Sequence, residues 1–155
     1  MTQKIKIIGV GNDYRSDDAV GLVAVRELKT DSSGNITSLE SSGEATSLLQ
    51  MWGDADVAVI IDAVKSGKPP GTIHRIDTAT APIPDAMTAF SSHSLGVTEA
   101  IALQKELRGV LPRIILYGIE GVRFELGGNL SEPVSRSIPR LIAMVRKDIA
   151  ALVGS

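Results

Sequence analysis

Two neighbouring carboxylates, Asp17 and Asp18, stand in the segment GVGNDYRSDDAVG, between an apolar run and a region of helical spacing. A third carboxylate, Asp62, directly follows the apolar run VAVII, and His93 lies in SSHSLG, before another helical pattern. In a sheet of parallel strands, ligands bind outside the carboxyl ends of the strands. We therefore expect Asp18, Asp62 and His93 to meet at one rim, although they are far apart in the chain.

These three side chains would form a donor set of two oxygens and one nitrogen. Such a set suits a borderline divalent ion such as Ni, Zn, Mn or Fe(II). Three protein ligands leave coordination positions open, which is typical of a working site rather than a structural one. Without a cation, clustered carboxylates would repel one another, and one of them would take up a proton.

Each residue also has a simpler interpretation when it is taken alone. A carboxylate at a helix start stabilises the helix through its dipole by about 0.3–1 kcal/mol, and we assign Asp17 to that role and Asp18 to the metal. Asp62 alone would be an ordinary strand-end carboxylate that faces solvent. His93, flanked by serines, would alone be part of a helix-capping segment. Only the three together favour a metal site.

The order of the elements predicts the fold. Apolar or alternating runs predict five strands, at Ile5–Val10, Ile36–Leu39, Val57–Ile61, Thr72–Asp77 and Arg113–Ile119. Helical spacing predicts four helices, at Ala19–Lys29, Glu44–Trp52, Val97–Leu107 and Val134–Leu152. This alternation predicts a three-layer α/β fold, with a mostly parallel twisted sheet of about five strands and helices on both faces. A short turn after Asp62 predicts a hairpin with one antiparallel strand, and the length suits a single domain over residues 1–155.

Composition narrows the class of protein. The net charge is -2 without a basic stripe, which argues against nucleic acid as a partner. The chain has no cysteine, so disulfides, thiolate metal sites and cysteine nucleophiles are excluded. The first apolar run is too short to span a membrane. We expect a cytoplasmic protein without a membrane partner.

Several common motifs are missing. The start GVGNDY has the G-x-G of a dinucleotide-binding loop, but Tyr14 occupies the place of the third glycine. The sequence contains no G-x-x-x-x-G-K-[ST], no H-E-x-x-H and no G-x-S-x-G. A P-loop and the commonest zinc-protease and serine-hydrolase signatures are therefore excluded.

The chain resembles the hydrogenase maturation proteases over nearly its whole length. The resemblance rests on GVGNDYRSDDAVG, VIIDAV, SSHSLGVTEAI and YGIEG, the last followed by NLSEPV. It implies a twisted sheet between helices and an endopeptidase that acts on the large subunit of a nickel–iron hydrogenase. Such enzymes recognise nickel in the immature large subunit and remove a C-terminal extension.

The resemblance also implies roles for the rim residues. Position by position, the family's metal-contacting and catalytic residues map onto Asp18, Asp62 and His93. The ion is expected to be nickel, which the substrate itself can supply, with zinc or another divalent ion as a substitute. The long loops Thr78–Phe90 and Val122–Pro133 are the expected walls of a docking groove.

The sequence departs from the family pattern at two places. Ala19 follows the acidic pair, where many members have glycine. The segment ESSGEATSLL lacks the aspartate that many members carry after the second strand, and Glu44 aligns only loosely with it. Glu120, directly after RIILYGI, is a further carboxylate of the rim. Which hydrogenase is the substrate stays open.

Two mechanisms and two other functions are compatible with these residues. A metal can polarise the scissile carbonyl or lower the pKa of a bound water, and a carboxylate can act as general base. The leading alternative function is a nickel-binding checkpoint or chaperone that never cuts. A weaker alternative is a nucleotide-binding domain that uses GVGN at a helix N-terminus.

Overall fold

The structure is a computed structural model that describes residues 3–31, 33–81, 94–108 and 111–154. Its five strands are β1 Ile5–Val10, β2 Ile36–Ser41, β3 Val57–Val64, β4 Ile73–Asp77 and β5 Arg113–Glu120. The α-helices of these ranges are α1 Val20–Leu28, α2 Ala45–Trp52, α3 Ser94–Arg108 and α4 Glu132–Val153. Two short 3-10 helices, Ser16–Ala19 and Lys29–Asp31, flank α1.

The strands form one sheet in the order β2-β1-β3-β5-β4. All neighbouring pairs are parallel except β4 and β5, which are antiparallel. The prediction of a mostly parallel five-stranded sheet is therefore confirmed. One strand, β4, is antiparallel as expected, but the prediction of a hairpin after Asp62 is wrong, because β5 lies between β3 and β4 and is the strand that pairs with β4.

Two apolar clusters cover the two faces of the sheet. Helices α1 and α4 pack on one face, where Val25 and Leu141 meet odd-numbered residues of β3 such as Val59 and Ile61. Helices α2 and α3 pack on the other face, where Trp52 and Val97 meet even-numbered residues such as Ile60. Every residue of β3 is buried, as expected for a central parallel strand. The predicted three-layer arrangement is confirmed.

Element boundaries differ from the sequence prediction in two places that bear on the rim. Strand β3 continues through Asp62 to Val64, because β5 supplies a partner for each added residue as far as Glu120. Asp62 therefore lies within the strand rather than after it. Helix α2 takes Glu44 as its N-cap residue, so the segment 42–44 is a turn before the helix. Within the described ranges, no helix is both long and apolar enough to cross a membrane.

Candidate active site

The topology selects one place on the sheet for a ligand. From β1 the chain moves outward to β2, then crosses back to β3 on the other side of β1. A crevice opens at the carboxyl ends of two strands where the strand order reverses in this way. The switch point here lies between β1 and β3. It is followed on one side by residues 11–19, which we call the first loop, and on the other by the end of β3.

Asp18 lies in the first loop, within the 3-10 helix Ser16–Ala19, and is 5% exposed. Its backbone is held on both sides: its N–H donates to Arg15 O at 3.0 Å, and its carbonyl accepts from Asn12 N at 3.3 Å. The following turn of α1 lies against the strand ends, where a Cβ on Gly21 would be 2.3 Å from Ile61 O. Gly21 therefore lets the start of α1, directly after the 3-10 helix that carries Asp18, approach β1 and β3 closely.

Asp62 lies near the carboxyl end of β3 and is 2% exposed. Because Ile61 and Ala63 belong to the cluster under α1 and α4, Asp62 points to the opposite face, towards α2 and α3. Its Oδ1 accepts the N–H of Ala63 at 2.8 Å, which fixes one edge of the carboxylate. The 3-10 helix that carries Asp18 packs against β3. The structure thus brings the segments of Asp18 and Asp62 together at one rim.

His93, the third predicted ligand, lies outside the described residues. The helix that follows it, α3, begins at Ser94 on the face to which Asp62 points. Close to its start, α3 is in backbone contact with the loop after β2, since a Cβ on Gly96 would be 1.8 Å from Gly43 O. In the described part of the chain, no three His, Cys, Asp or Glu side chains are grouped as a metal site. The assignment of Asp18, Asp62 and His93 as ligands therefore stays a prediction.

Asp17 has a different role from the one expected at a helix start. Its carboxylate is fully buried and accepts the N–H groups of Val122 and Arg123 on Oδ2, at 2.8 and 2.9 Å. Ser131 donates its N–H to Oδ1 at 2.7 Å and its hydroxyl to Oδ2 at 2.9 Å. Burial raises the pKa of Asp17, but these hydrogen bonds outweigh it and hold the pKa below its usual range. Asp17 therefore anchors both ends of residues 121–131, which we call the second loop.

Further contacts join the first loop to the middle of the second. The hydroxyl of Ser16 donates to Gly127 O at 2.6 Å, and Gly127 N donates to Tyr14 O at 2.8 Å. Ser16 has a φ of 48°, in the left-handed region that a non-glycine residue rarely adopts. We call the first and second loops together the paired loops. The contact between the two loops could not be predicted from the sequence, because the partners of Asp17 lie 105 to 114 residues away in the chain.

The side chain of Glu120 connects neighbouring parts of the sheet. It is 1% exposed and accepts hydrogen bonds from the N–H and the hydroxyl of Ser66, which lies in the connection from β3 to β4. It also contacts His74, with 3.1 Å between Oε1 and Nε2. His74 is half-buried. These contacts hold β3, β4 and β5 together beside the rim.

A groove of about 570 Å³ runs beside the first loop, on the side of β2. Asn12 and Tyr14 line one wall, and Ser42 and Glu44 line the other, whereas Asp18 and Asp62 do not line it. Glu44 is exposed and accepts a hydrogen bond from the hydroxyl of Ser42. The groove borders the rim, so an extended chain lying in it would reach the first loop.

Solved structures show the same fold. The hydrogenase maturating endopeptidase HybD from E. coli matches with a TM-score of 0.81 and 23% sequence identity, covering 96% of this chain and 93% of that one. The [NiFe] hydrogenase maturation protease HybD from Thermococcus kodakarensis matches with a TM-score of 0.76 and 24% identity, covering 93% of this chain and 97% of that one.

Sequence comparisons agree with the structural ones. The chain is 29% identical over 150 residues to the hydrogenase expression/formation protein HupD of Thiocapsa roseopersicina, covering 95% of this chain and 68% of the relative. It is 24% identical to a putative hydrogenase maturation protease of Methanocaldococcus jannaschii, covering 94% of this chain and 96% of the relative. The family model described as hydrogenase maturation protease matches residues 23–148. The chain therefore belongs to the hydrogenase maturation protease family.

Proposed function

We propose that this chain is an endopeptidase that recognises nickel in the immature large subunit of a nickel–iron hydrogenase and removes its C-terminal extension. Asp18, Asp62 and His93 are the proposed metal-contacting and catalytic residues. The observation that carries the proposal is the placement of Asp18 and Asp62, both buried, at the switch point of the sheet in a chain of this family.

The donor chemistry fits nickel as the ion of the substrate. Two carboxylates and an imidazole suit a borderline divalent ion, and zinc or another such ion is a reasonable substitute. A metal in this position polarises a carbonyl or lowers the pKa of a bound water. Because the ion arrives with the substrate, the large subunit would itself supply the remaining ligands. A precursor without nickel would then present no metal for Asp18, Asp62 and His93 to bind.

The chain's own residues prepare this rim before the substrate binds. The N–H of Ala63 fixes one oxygen of Asp62, and the 3-10 turn fixes the backbone of Asp18. A donor held in this way loses little conformational freedom on binding. A carboxylate that is not engaged by the ion can take a proton from the attacking water, and later pass it to the leaving amine.

Mass spectrometry of a large-subunit precursor tests the proposal. The precursor is prepared with and without nickel and incubated with this protein. The nickel-loaded form should lose the mass of its C-terminal extension, and the nickel-free form should stay intact. Asp18→Asn and His93→Ala should remove cleavage and weaken the binding of Ni or Zn measured by calorimetry. Glu99→Gln, an exposed change on α3, is the control.

Three outcomes would count against parts of the proposal. Equal cutting of both precursor forms would remove nickel recognition and leave a general peptidase. Nickel binding without cutting, across precursors of several hydrogenase types, would favour the checkpoint or chaperone. Unchanged metal binding in His93→Ala would remove His93 from the site.

A further inference from the structure

The paired loops expose two large hydrophobic side chains next to the candidate site. Tyr14 is 76% exposed and Leu126 is 72% exposed, the highest values among the large hydrophobic residues of the described ranges. The hydrogen bond from Gly127 N to Tyr14 O, at 2.8 Å, places the two residues on adjoining segments of backbone. Val122, on the same second loop, is 55% exposed. Apolar side chains grouped on one rim indicate a contact surface.

This surface is rigid because buried groups support it from beneath. The carboxylate of Asp17 binds both ends of the second loop, and the hydroxyl of Ser16 binds its middle. Phe124 turns inwards and packs against the apolar cluster under α4. A long loop would otherwise lose conformational freedom on binding, so this support lowers the cost of association.

The same loops carry two arginines that form no ion pair within the described part of the chain. Among the described residues, most arginines lie in ion pairs: Arg26, Arg75, Arg113, Arg136 and Arg146. The exposed side chains of Arg15 and Arg123 form no ion pair with any residue of the described ranges. The two arginines lie on neighbouring segments of backbone, since Asp17 N, two residues after Arg15, donates to Arg123 O at 2.9 Å. Glu125 is the one carboxylate of the second loop.

We propose that the paired loops are the docking surface for the folded body of the large-subunit precursor, with Tyr14 and Leu126 as apolar anchors and Arg15 and Arg123 as charge contacts. This inference rests on the proposed function and adds the surface that selects the partner. The matching face of the precursor carries apolar side chains bordered by carboxylates.

Charge complementarity and position argue for this occupant. Tyrosine and arginine are the residues most enriched among energetic anchors of protein interfaces. Unpaired arginines beside apolar anchors favour a partner face that carries carboxylates. The surface begins one residue from the 3-10 helix that holds Asp18, so a protein docked there presents its adjoining segment to the candidate site.

Kinetics of precursor cleavage test the inference with matched controls. Tyr14→Ala and Leu126→Ala should each raise KM about tenfold with little change in kcat, because they remove binding shared by ground and transition states. Leu107→Ala and Val153→Ala are the controls. Both residues are exposed and apolar, at 64% and 56%, and lie at the far ends of α3 and α4. They should leave KM unchanged.

Charge reversal gives a second, independent readout. Arg15→Glu and Arg123→Glu should lower kcat/KM and flatten its decline with added salt, because rim charges act mainly on the rate of encounter. Arg140→Glu, another exposed arginine without an ion pair in the described ranges, is the control on α4.

The outcomes separate this inference from the proposed function. Wild-type protein that cuts no precursor overturns the proposed function and the inference with it. Wild-type cleavage with equal KM in the loop variants and their controls overturns the inference alone. A fall in kcat at unchanged KM in Tyr14→Ala or Leu126→Ala also overturns it, since those residues would then act in the chemistry.

Discussion

Asp17 and Asp18 are adjacent carboxylates with separate tasks. Asp17 satisfies four donors of the second loop, whereas Asp18 lies towards the switch point. Asp17 lies in the first turn of a 3-10 helix, as expected, but its carboxylate binds donors of a distant part of the chain, which the dipole interpretation did not include.

Isosteric substitutions distinguish the role of Asp17 from that of Asp18. In Asp17→Asn the amide NH2 faces N–H donors, so we expect a loss of about 2–4 kcal/mol in the free energy of unfolding. Asp18→Asn should remove precursor cleavage and cost less stability than Asp17→Asn, because the four hydrogen bonds that anchor the second loop end on Asp17. Urea denaturation measures the free energy of unfolding of each variant, and the precursor assay measures its cleavage activity. The reverse pattern would exchange the two assignments.

At the scale of elements, the edge strand β4 depends on a buried carboxylate at its end. Asp77 is 4% exposed and accepts two hydrogen bonds from Arg113 of β5, at 3.0 and 2.6 Å. These bonds lower the pKa of Asp77 to about 2. Its contribution to stability is thus complete above the pKa of the unfolded chain, about 4, and is lost as the pH falls towards 2.

Replacement of Asp77 should weaken the sheet edge and change its response to acid. Asp77→Asn should lower the free energy of unfolding at neutral pH by about 1–3 kcal/mol. Between the unfolded-state pKa and about pH 2, its stability should fall less steeply than that of the parent. Urea denaturation at a series of pH values measures this, with Glu99→Gln as control. Equal acid slopes in Asp77→Asn and parent would contradict the assignment.

The start of α3 depends on a glycine. The Cβ of Gly96→Ala would lie 1.8 Å from Gly43 O, so α3 must move away from the loop after β2. We expect a loss of about 1–3 kcal/mol in stability and reduced cleavage, because His93 precedes this turn by three residues. Gly34→Ala, with nothing within 4 Å of its Cβ, is the control. A Gly96→Ala protein that is as stable and as active as this control would contradict the close approach of Gly96 to Gly43.

For the whole molecule, the two apolar clusters are complete without an ion. The candidate site lies at the edge of the sheet, and neither cluster includes Asp18 or Asp62. Dialysis against a chelator should therefore leave helix content and cooperative urea unfolding intact while it removes bound metal. Circular dichroism measures the helix content and the urea unfolding, and elemental analysis measures the bound metal. Unfolding on chelation, as in proteins whose fold depends on zinc, would contradict this.

Local patterns in the sequence predicted the layers but not the contacts between distant segments. Continuous apolar runs identified β1, β3 and β5, because a central parallel strand is buried on both faces. The pairing of β4 could not be read locally, since β5 follows it by more than thirty residues. The anchoring role of Asp17 was equally hidden, because three of its four donors in the second loop are backbone N–H groups, which almost any sequence supplies.

The position of β5 in the sheet has a consequence for the order in which the chain can assemble during synthesis. β4 leaves the ribosome before β5, yet β5 is the strand with which it pairs in the described part of the chain. Asp17 is synthesised early, whereas Ser131, which donates a hydrogen bond to its carboxylate, is synthesised 114 residues later. A nascent chain that ends before Arg113 therefore has an unpaired edge on β3, a free β4 and an unanchored first loop. The rim that is proposed to recognise an immature large subunit can therefore be completed only after Ser131 has been synthesised.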